Sequence, residues 1–97
     1  MAKVVDITAK LSFDENPRIS IRGDEFEVNA DAKTVLEIMG DFSQKTQMEA
    51  SMSAYERMFS EKDRQKINDM KLPFKDLMIV IETAMELVQG GDSQGEQ

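Results

Sequence analysis

The fold of this chain is decided by residues 19–29, which read ISIRGDEFEVN. Apolar and polar side chains alternate on both sides of Gly23, as they do in strands that bury one face. Gly23 and Asp24 suit a two-residue hairpin loop, because glycine supplies the positive φ that the first loop position needs. We therefore predict an antiparallel hairpin over residues 18–29.

The register of this hairpin follows from the predicted loop. Ile21 would stand opposite Phe26, and Arg22 opposite Glu25, so that apolar residues share one face and opposite charges share the other. The face turned toward a core would consist of Ile19, Ile21, Phe26 and Val28.

Residues 4–13 show a weaker alternation upstream of the hairpin, followed by a loop that ends at Pro17. The apolar side of this segment would carry Val5, Ile7, Ala9 and Leu11. The pattern favours a further strand that would extend the sheet.

A first helix should follow the hairpin, capped by Asn29 or Asp31. Its predicted buried face, which would pack on the hairpin, consists of Ala32, Val35, Leu36, Met39 and Phe42. Gly40 is a poor helix former, so we expect this helix to bend or end close to it.

Three further helical segments are indicated downstream. Residues 46–59 carry a narrow apolar stripe, Ser60 and Asp63 resemble a capping pair for a short helix, and Pro73 is suited to starting a last helix. The stripe of the second helix consists of Met48, Met52, Tyr55 and Phe59. The broader stripe of the last helix consists of Phe74, Leu77, Met78, Ile81, Ala84, Met85 and Val88.

The fold class expected from these elements is α+β, with a small antiparallel sheet packed against three or four helices. A chain of 97 residues is long enough for one core, so residues 1–90 should form a single domain. The segment 91–97 is polar and is expected to be a disordered tail.

The composition removes most catalytic chemistry. There is no Cys and no His, which excludes thiolate and Ser-His nucleophiles and zinc sites built from those residues. There is no glycine-rich phosphate loop and no calcium loop of the EF-hand kind. We expect no enzyme activity, no catalytic residues, no cofactor and no metal.

The charge points to a protein partner. With 19 acidic and 12 basic residues the net charge is −7, which argues against binding nucleic acid or an anionic membrane. No apolar stretch is long enough to span a bilayer, and no secretory leader is seen, so a cytoplasmic protein is expected.

Methionine is the most unusual feature of the composition, with eight in the chain. Flexible, polarizable Met side chains adapt to irregular apolar partners. Ile79 falls on the polar side of the last helix, where no core is available to it. The residues predicted to contact a protein partner or a second copy are Met48, Met52, Tyr55, Met58 and Ile79.

The order of elements and several local patterns resemble a known family. The hairpin has the form Ile-x-Ile-x-Gly-Asp-x-Phe-x-Val, the next helix starts Ala-Lys-Thr, and residues 72–78 read LPFKDLM before Ala-Met-Glu-Leu at 84–87. Together these resemble the tail assembly chaperones of long-tailed phages and prophages of Gram-positive bacteria. The resemblance covers residues 17–90 and leaves residues 4–13 unmatched.

The resemblance implies a non-catalytic function. Such chaperones act in the cytoplasm of the host cell, bind the aggregation-prone tape measure protein, support assembly of the tail tube and are absent from the mature virion. It also implies homo-oligomers and contact with the tail tube protein, and this sequence would be the short form where a frameshift makes a longer one.

Two other functions compete with this one. An acidic regulator could imitate nucleic acid and block a DNA-binding protein, although the carboxylates are interleaved with basic residues. A minor structural tail or head-completion protein would instead be found in purified particles.

Overall fold

The computed structural model describes residues 2–90. Within them the chain forms a two-stranded antiparallel sheet followed by four helices, which confirms the α+β class. The strands are β1 (Arg18–Ile21) and β2 (Asp24–Glu27). The helices are α1 (Ala32–Gln44), α2 (Gln47–Met58), α3 (Glu61–Asp69) and α4 (Phe74–Val88). The tail predicted over residues 91–97 lies outside the described residues.

The hairpin forms where it was predicted, but its register differs. Ile19 pairs with Phe26 and Ile21 with Asp24, so the loop is Arg22-Gly23 rather than Gly23-Asp24. Both loop residues have positive φ, 54° and 87°, which is the pattern of a type I′ turn and matches the twist of the flanking strands. The shift moves the pairing by two residues, which leaves the same side chains on each face.

The expected strand over residues 4–13 is wrong. This segment holds a single 3-10 turn at Thr8–Lys10, and the described sheet has only the two hairpin strands. Asp6 fixes the turn by accepting hydrogen bonds from the backbone N–H of Thr8, at 2.9 Å, and from its hydroxyl, at 2.6 Å. This side-chain bonding offers the backbone an alternative to strand pairing.

Polar side chains cap the first three helices. Asp31 accepts from the backbone N–H of Thr34 at the start of α1, and Ser60 accepts from Asp63 at the start of α3. Thr46 and Glu49 form a full capping box at the start of α2. Pro73 is the N-cap of α4, one residue before the helical start predicted for it, and it makes no side-chain capping hydrogen bond.

One core joins the hairpin to all four helices. Its buried residues are Phe26, Val28, Ile38, Ala54, Tyr55, Met58, Phe59, Ile67, Val80, Ile81 and Ala84. The backbone N–H of Asn29 donates to the carbonyl of Met58 at 2.7 Å, which ties the end of the hairpin to the end of α2.

Helix α1 buries a different face from the predicted one. Thr34, Ile38 and Asp41 are buried, whereas Leu36 and Met39 are 67 % and 55 % exposed. A hydrogen bond from Arg57 of α2 to Asp41 explains the difference, because it holds the face formed by Thr34, Ile38 and Asp41 against α2. The helix also continues through Gly40 to Gln44 instead of ending near the glycine.

Candidate functional site

The best candidate for a binding surface is a groove between α2 and α4, called here the α2–α4 groove. Its volume is about 490 Å³. It is lined by Gln47, Met48, Ser51, Met52, Phe74, Leu77, Met78 and Ile81. None of these side chains is charged, so the groove suits an apolar ligand of a size that proteins ordinarily bind.

The two walls of the groove follow from helix periodicity. On α2, Met48 and Met52 are one turn apart and are 65 % and 49 % exposed. The opposite side of α2 is buried and small, with Ala50 and Ala54 in the interior. On α4 the wall residues stand at the spacing i, i+3, i+4 and i+7, counted from Phe74.

Two of the predicted contact residues lie in this groove, and two do not reach the surface. Met48 and Met52 line it, but Tyr55 is 4 % exposed and Met58 is fully buried in the core. The stripe predicted to face one neighbouring helix divides: its members Tyr55 and Phe59 lie in the core, whereas Met48 and Met52 are exposed. Of the predicted contact residues, Met48, Met52 and Ile79 are therefore the three that remain exposed for a partner.

Tyr55 has a structural role at the joint between α2 and α3. Its hydroxyl donates to the side-chain oxygen of Asn68 at 2.9 Å and lies 3.3 Å from the carbonyl of Arg64. Burial raises the pKa of the Tyr55 hydroxyl, and the charge of Arg64 only partly opposes this. The phenol is therefore a neutral donor at ordinary pH.

Ile79 is exposed, as its position on the polar side of α4 predicted, but it lies apart from the α2–α4 groove. It borders a separate hollow with Ile21 of the hairpin and Met70 at the end of α3. This hollow also includes Arg22, Lys71 and Asp76, so it is more polar than the groove. The structure therefore does not bring Ile79 together with Met48 and Met52.

The densest polar cluster joins α1 to α2. Arg57 donates through Nε to Oδ2 of Asp41 at 3.1 Å and through Nη1 to Oε1 of Glu37 at 2.7 Å. Lys45 Nζ lies 3.4 Å from the other Asp41 oxygen. Burial acts to raise the pKa of Asp41, but the hydrogen bonds and charges of Arg57 and Lys45 outweigh it and lower the pKa. Such a cluster is an ion-paired clamp between helices.

Sequence reasoning missed this clamp and part of the groove. Glu37 and Asp41 are one helical turn apart, which signals a shared face for a cation, but no pattern points to Arg57 as that cation. Phe74 belongs to the apolar stripe predicted for the last helix, but it is 69 % exposed and lines the groove from the first turn of α4.

The described residues hold no group of three or more acidic, Cys or His side chains placed to bind a metal ion. Over residues 2–90, no helix has the length and apolar character needed to cross a bilayer. Comparison with known proteins gives no match to any protein-family model, to any curated protein or to any solved structure.

Proposed function

We propose that this chain is a non-catalytic assembly chaperone of a long-tailed phage or prophage, and that the α2–α4 groove binds an apolar helix face of the tape measure protein. One observation carries the proposal: an uncharged groove of about 490 Å³ between two helices, with methionines on both walls. The resemblance of the sequence patterns described above supports the tape measure protein as the client.

The chemistry of the groove suits a client with a varied sequence. Met48 and Met52 on one wall and Met78 on the other are unbranched side chains that can change rotamer to fit differing apolar surfaces. Surfaces of this kind bind many related helices without demanding one exact sequence. This property is what a chaperone needs when successive segments of a long client must be held.

The geometry suits a helix more than an extended peptide. The α4 wall offers Phe74, Leu77, Met78 and Ile81 along two turns, and helices docked in grooves present anchors at the same i, i+3, i+4, i+7 spacing. An extended peptide would gain most from an open sheet edge, which the groove does not provide. An amphipathic helix of the client is therefore the expected ligand.

The first test is a pull-down of the tagged protein from phage-producing cells, with mass spectrometry of the bound proteins and of purified particles. Recovery of one very long helical protein, with this chain absent from the particles, is the expected result. Binding that resists salt would agree with an apolar grip. A DNA-binding partner released by moderate salt would favour the nucleic-acid mimic, and recovery of this chain in particles would favour a structural protein.

A matched pair of variants then tests the groove itself. Met52→Glu should weaken binding of the recovered client by about 10- to 100-fold, because a buried Met contributes about 1.5–3 kcal/mol. Met39→Glu is the control, since Met39 is a similarly exposed methionine on α1, away from the groove. Loss of binding in the Met39 variant alone would reject the groove and point to α1.

A further inference from the structure

The N-terminal arm, residues 2–13, is a large apolar feature that the described body of the fold, residues 16–90, leaves exposed. Every residue from 2 to 15 is exposed. The apolar side chains of the arm and their exposed fractions are Val4 89 %, Val5 65 %, Ile7 49 %, Leu11 50 % and Phe13 75 %. Monomeric proteins seldom present so much apolar surface together unless a partner covers it.

The arm is locally organised even though it is not packed. The Asp6–Thr8 hydrogen bonds hold a 3-10 turn at Thr8–Lys10, and Leu11 closes the turn by donating to the carbonyl of Thr8 at 3.1 Å. A preformed turn reduces the conformational entropy that is lost on binding. The arm is therefore a better ligand than an unstructured segment of equal composition.

We propose that the N-terminal arm of one copy occupies the α2–α4 groove of a second copy. The described residues thus carry both an exposed apolar segment and an uncharged apolar groove. This contact would bury Met48, Met52 and Phe74 of the groove together with Ile7 and Leu11 of the arm, which flank the 3-10 turn at the i, i+4 spacing of helical anchors.

Charge complementarity supports this occupant. The arm carries Lys3 and Lys10 against Asp6 alone, whereas the chain as a whole has a net charge of −7. A hollow that shares Met52 and Leu77 with the groove also contains Glu56 and Glu61, against Arg64 as its one basic residue. A basic arm is therefore attracted to the acidic surroundings of an uncharged groove.

The position of the arm's base favours a second copy over the arm's own groove. Ser12 and Asp14 line a surface hollow with Leu87 and Val88, so the arm leaves the body beside the C-terminal end of α4. The groove lies at the other end, around Phe74 and Leu77. Because the arm projects from one end and the groove opens at the other, copies can associate head to tail.

This contact would add a regulatory step to the proposed function. The regulatory step rests on the proposed function, but the association of two copies does not. A client helix entering the groove must first displace the arm of the neighbouring copy. Self-association would thereby protect the apolar groove before the client is made. The association itself requires no client, so it is tested with the purified chain.

Sedimentation of the full chain over a range of concentrations is the first experiment. We expect the mass to rise above the 11.0 kDa of the monomer as concentration increases. The arm variant Ile7→Ser/Leu11→Ser and the groove variant Met48→Lys should each weaken association at least tenfold. Leu36→Ser is the control, an equally exposed apolar residue on α1 that should leave association unchanged.

A mixing experiment identifies the contact. The arm variant keeps its groove and the groove variant keeps its arm, so an equimolar mixture should form a complex of two chains that neither variant forms alone. A wild-type chain that stays at 11.0 kDa, an arm variant that associates normally, or a mixture that stays monomeric would each overturn the proposal. Circular dichroism of both variants must match the wild type, which the exposure of the substituted residues leads us to expect.

Discussion

Arg57 is the residue that joins α1 and α2 by charge. Its guanidinium bonds to Glu37 and Asp41, and the Asp41 side chain is only 12 % exposed. Since Arg57 itself is about a third exposed, solvent weakens the pair, and we expect Arg57→Ala to lower stability by no more than about 1 kcal/mol. That limit corresponds to a thermal midpoint lower by at most about 4–8 °C for a chain of this size.

The lowered pKa of Asp41 predicts a loss of stability in acid. Because the folded chain holds this carboxylate ionised below its ordinary pKa of 3.8, the unfolded chain binds the proton more readily. The stabilisation is therefore complete above pH 3.8 and is lost as the pH falls through the lowered folded pKa. Asp6 and Asp31, whose pKa values are lowered by hydrogen bonds from Thr8 and Thr34, act in the same direction.

Urea unfolding from about pH 6 to about pH 2.5 measures this effect. Asp41→Asn should be less stable than the wild type at neutral pH, and the difference should shrink as the wild-type carboxylate becomes protonated. A variant that loses stability in acid as steeply as the wild type would show that Asp41 contributes nothing to the acid response.

Helix α1 is the element in which local preference and observed structure disagree most. Gly40 lies in its interior, and the helix nevertheless runs from Ala32 to Gln44. The ion pairs of Asp41 with Arg57 and Lys45 lie directly after the glycine and hold that turn in place. Tertiary bonding therefore offsets the weak helix propensity of Gly40.

Gly40→Ala should stabilise the protein by about 0.5–1 kcal/mol, raising the thermal midpoint by a few degrees. A Cβ at position 40 meets nothing within 4 Å, so the gain in helix propensity is not lost to a clash. Gly23→Ala is the contrasting variant and should destabilise the protein, because Gly23 has a φ of +87°, which strains an alanine. A fall in midpoint for Gly40→Ala would contradict the explanation by helix propensity.

At the scale of the whole molecule, Met58 is the residue on which the hairpin and the helices converge. Its side chain is fully buried in the common core, and its carbonyl accepts from Asn29 at the end of the hairpin. A domain of this size has a total stability of only about 5–15 kcal/mol. The cohesion of the fold therefore depends on a few such positions.

Met58→Ala should destabilise the protein by about 2–5 kcal/mol, because it leaves a cavity in the core. Met48→Ala is the matched control, the same substitution at a methionine that is 65 % exposed, and should change stability by no more than about 0.5 kcal/mol. Chemical denaturation of both variants measures the difference. Equal effects would contradict the division of the methionines between core and groove.

The sequence by itself determined the α+β class, the hairpin and the starts of the helices. Asp31, Thr46 and Ser60 cap their helices through atoms only three residues away, and the alternation around Gly23 fixes which hairpin face is buried. These features depend on local bonding and periodicity, which are complete within a short stretch of chain.

Only the tertiary structure decided which apolar residues are covered. Met52 and Met58 lie on the same helix, and Phe74 and Ile81 on another, yet one of each pair is largely exposed and the other is buried. Periodicity shows that a face is apolar, but not how far a neighbouring helix extends along it. The α2–α4 groove is lined by the first halves of both helices, whereas their core residues Met58 and Ala84 lie in the second halves. The exposed arm reflects the limited surface that so short a chain can bury.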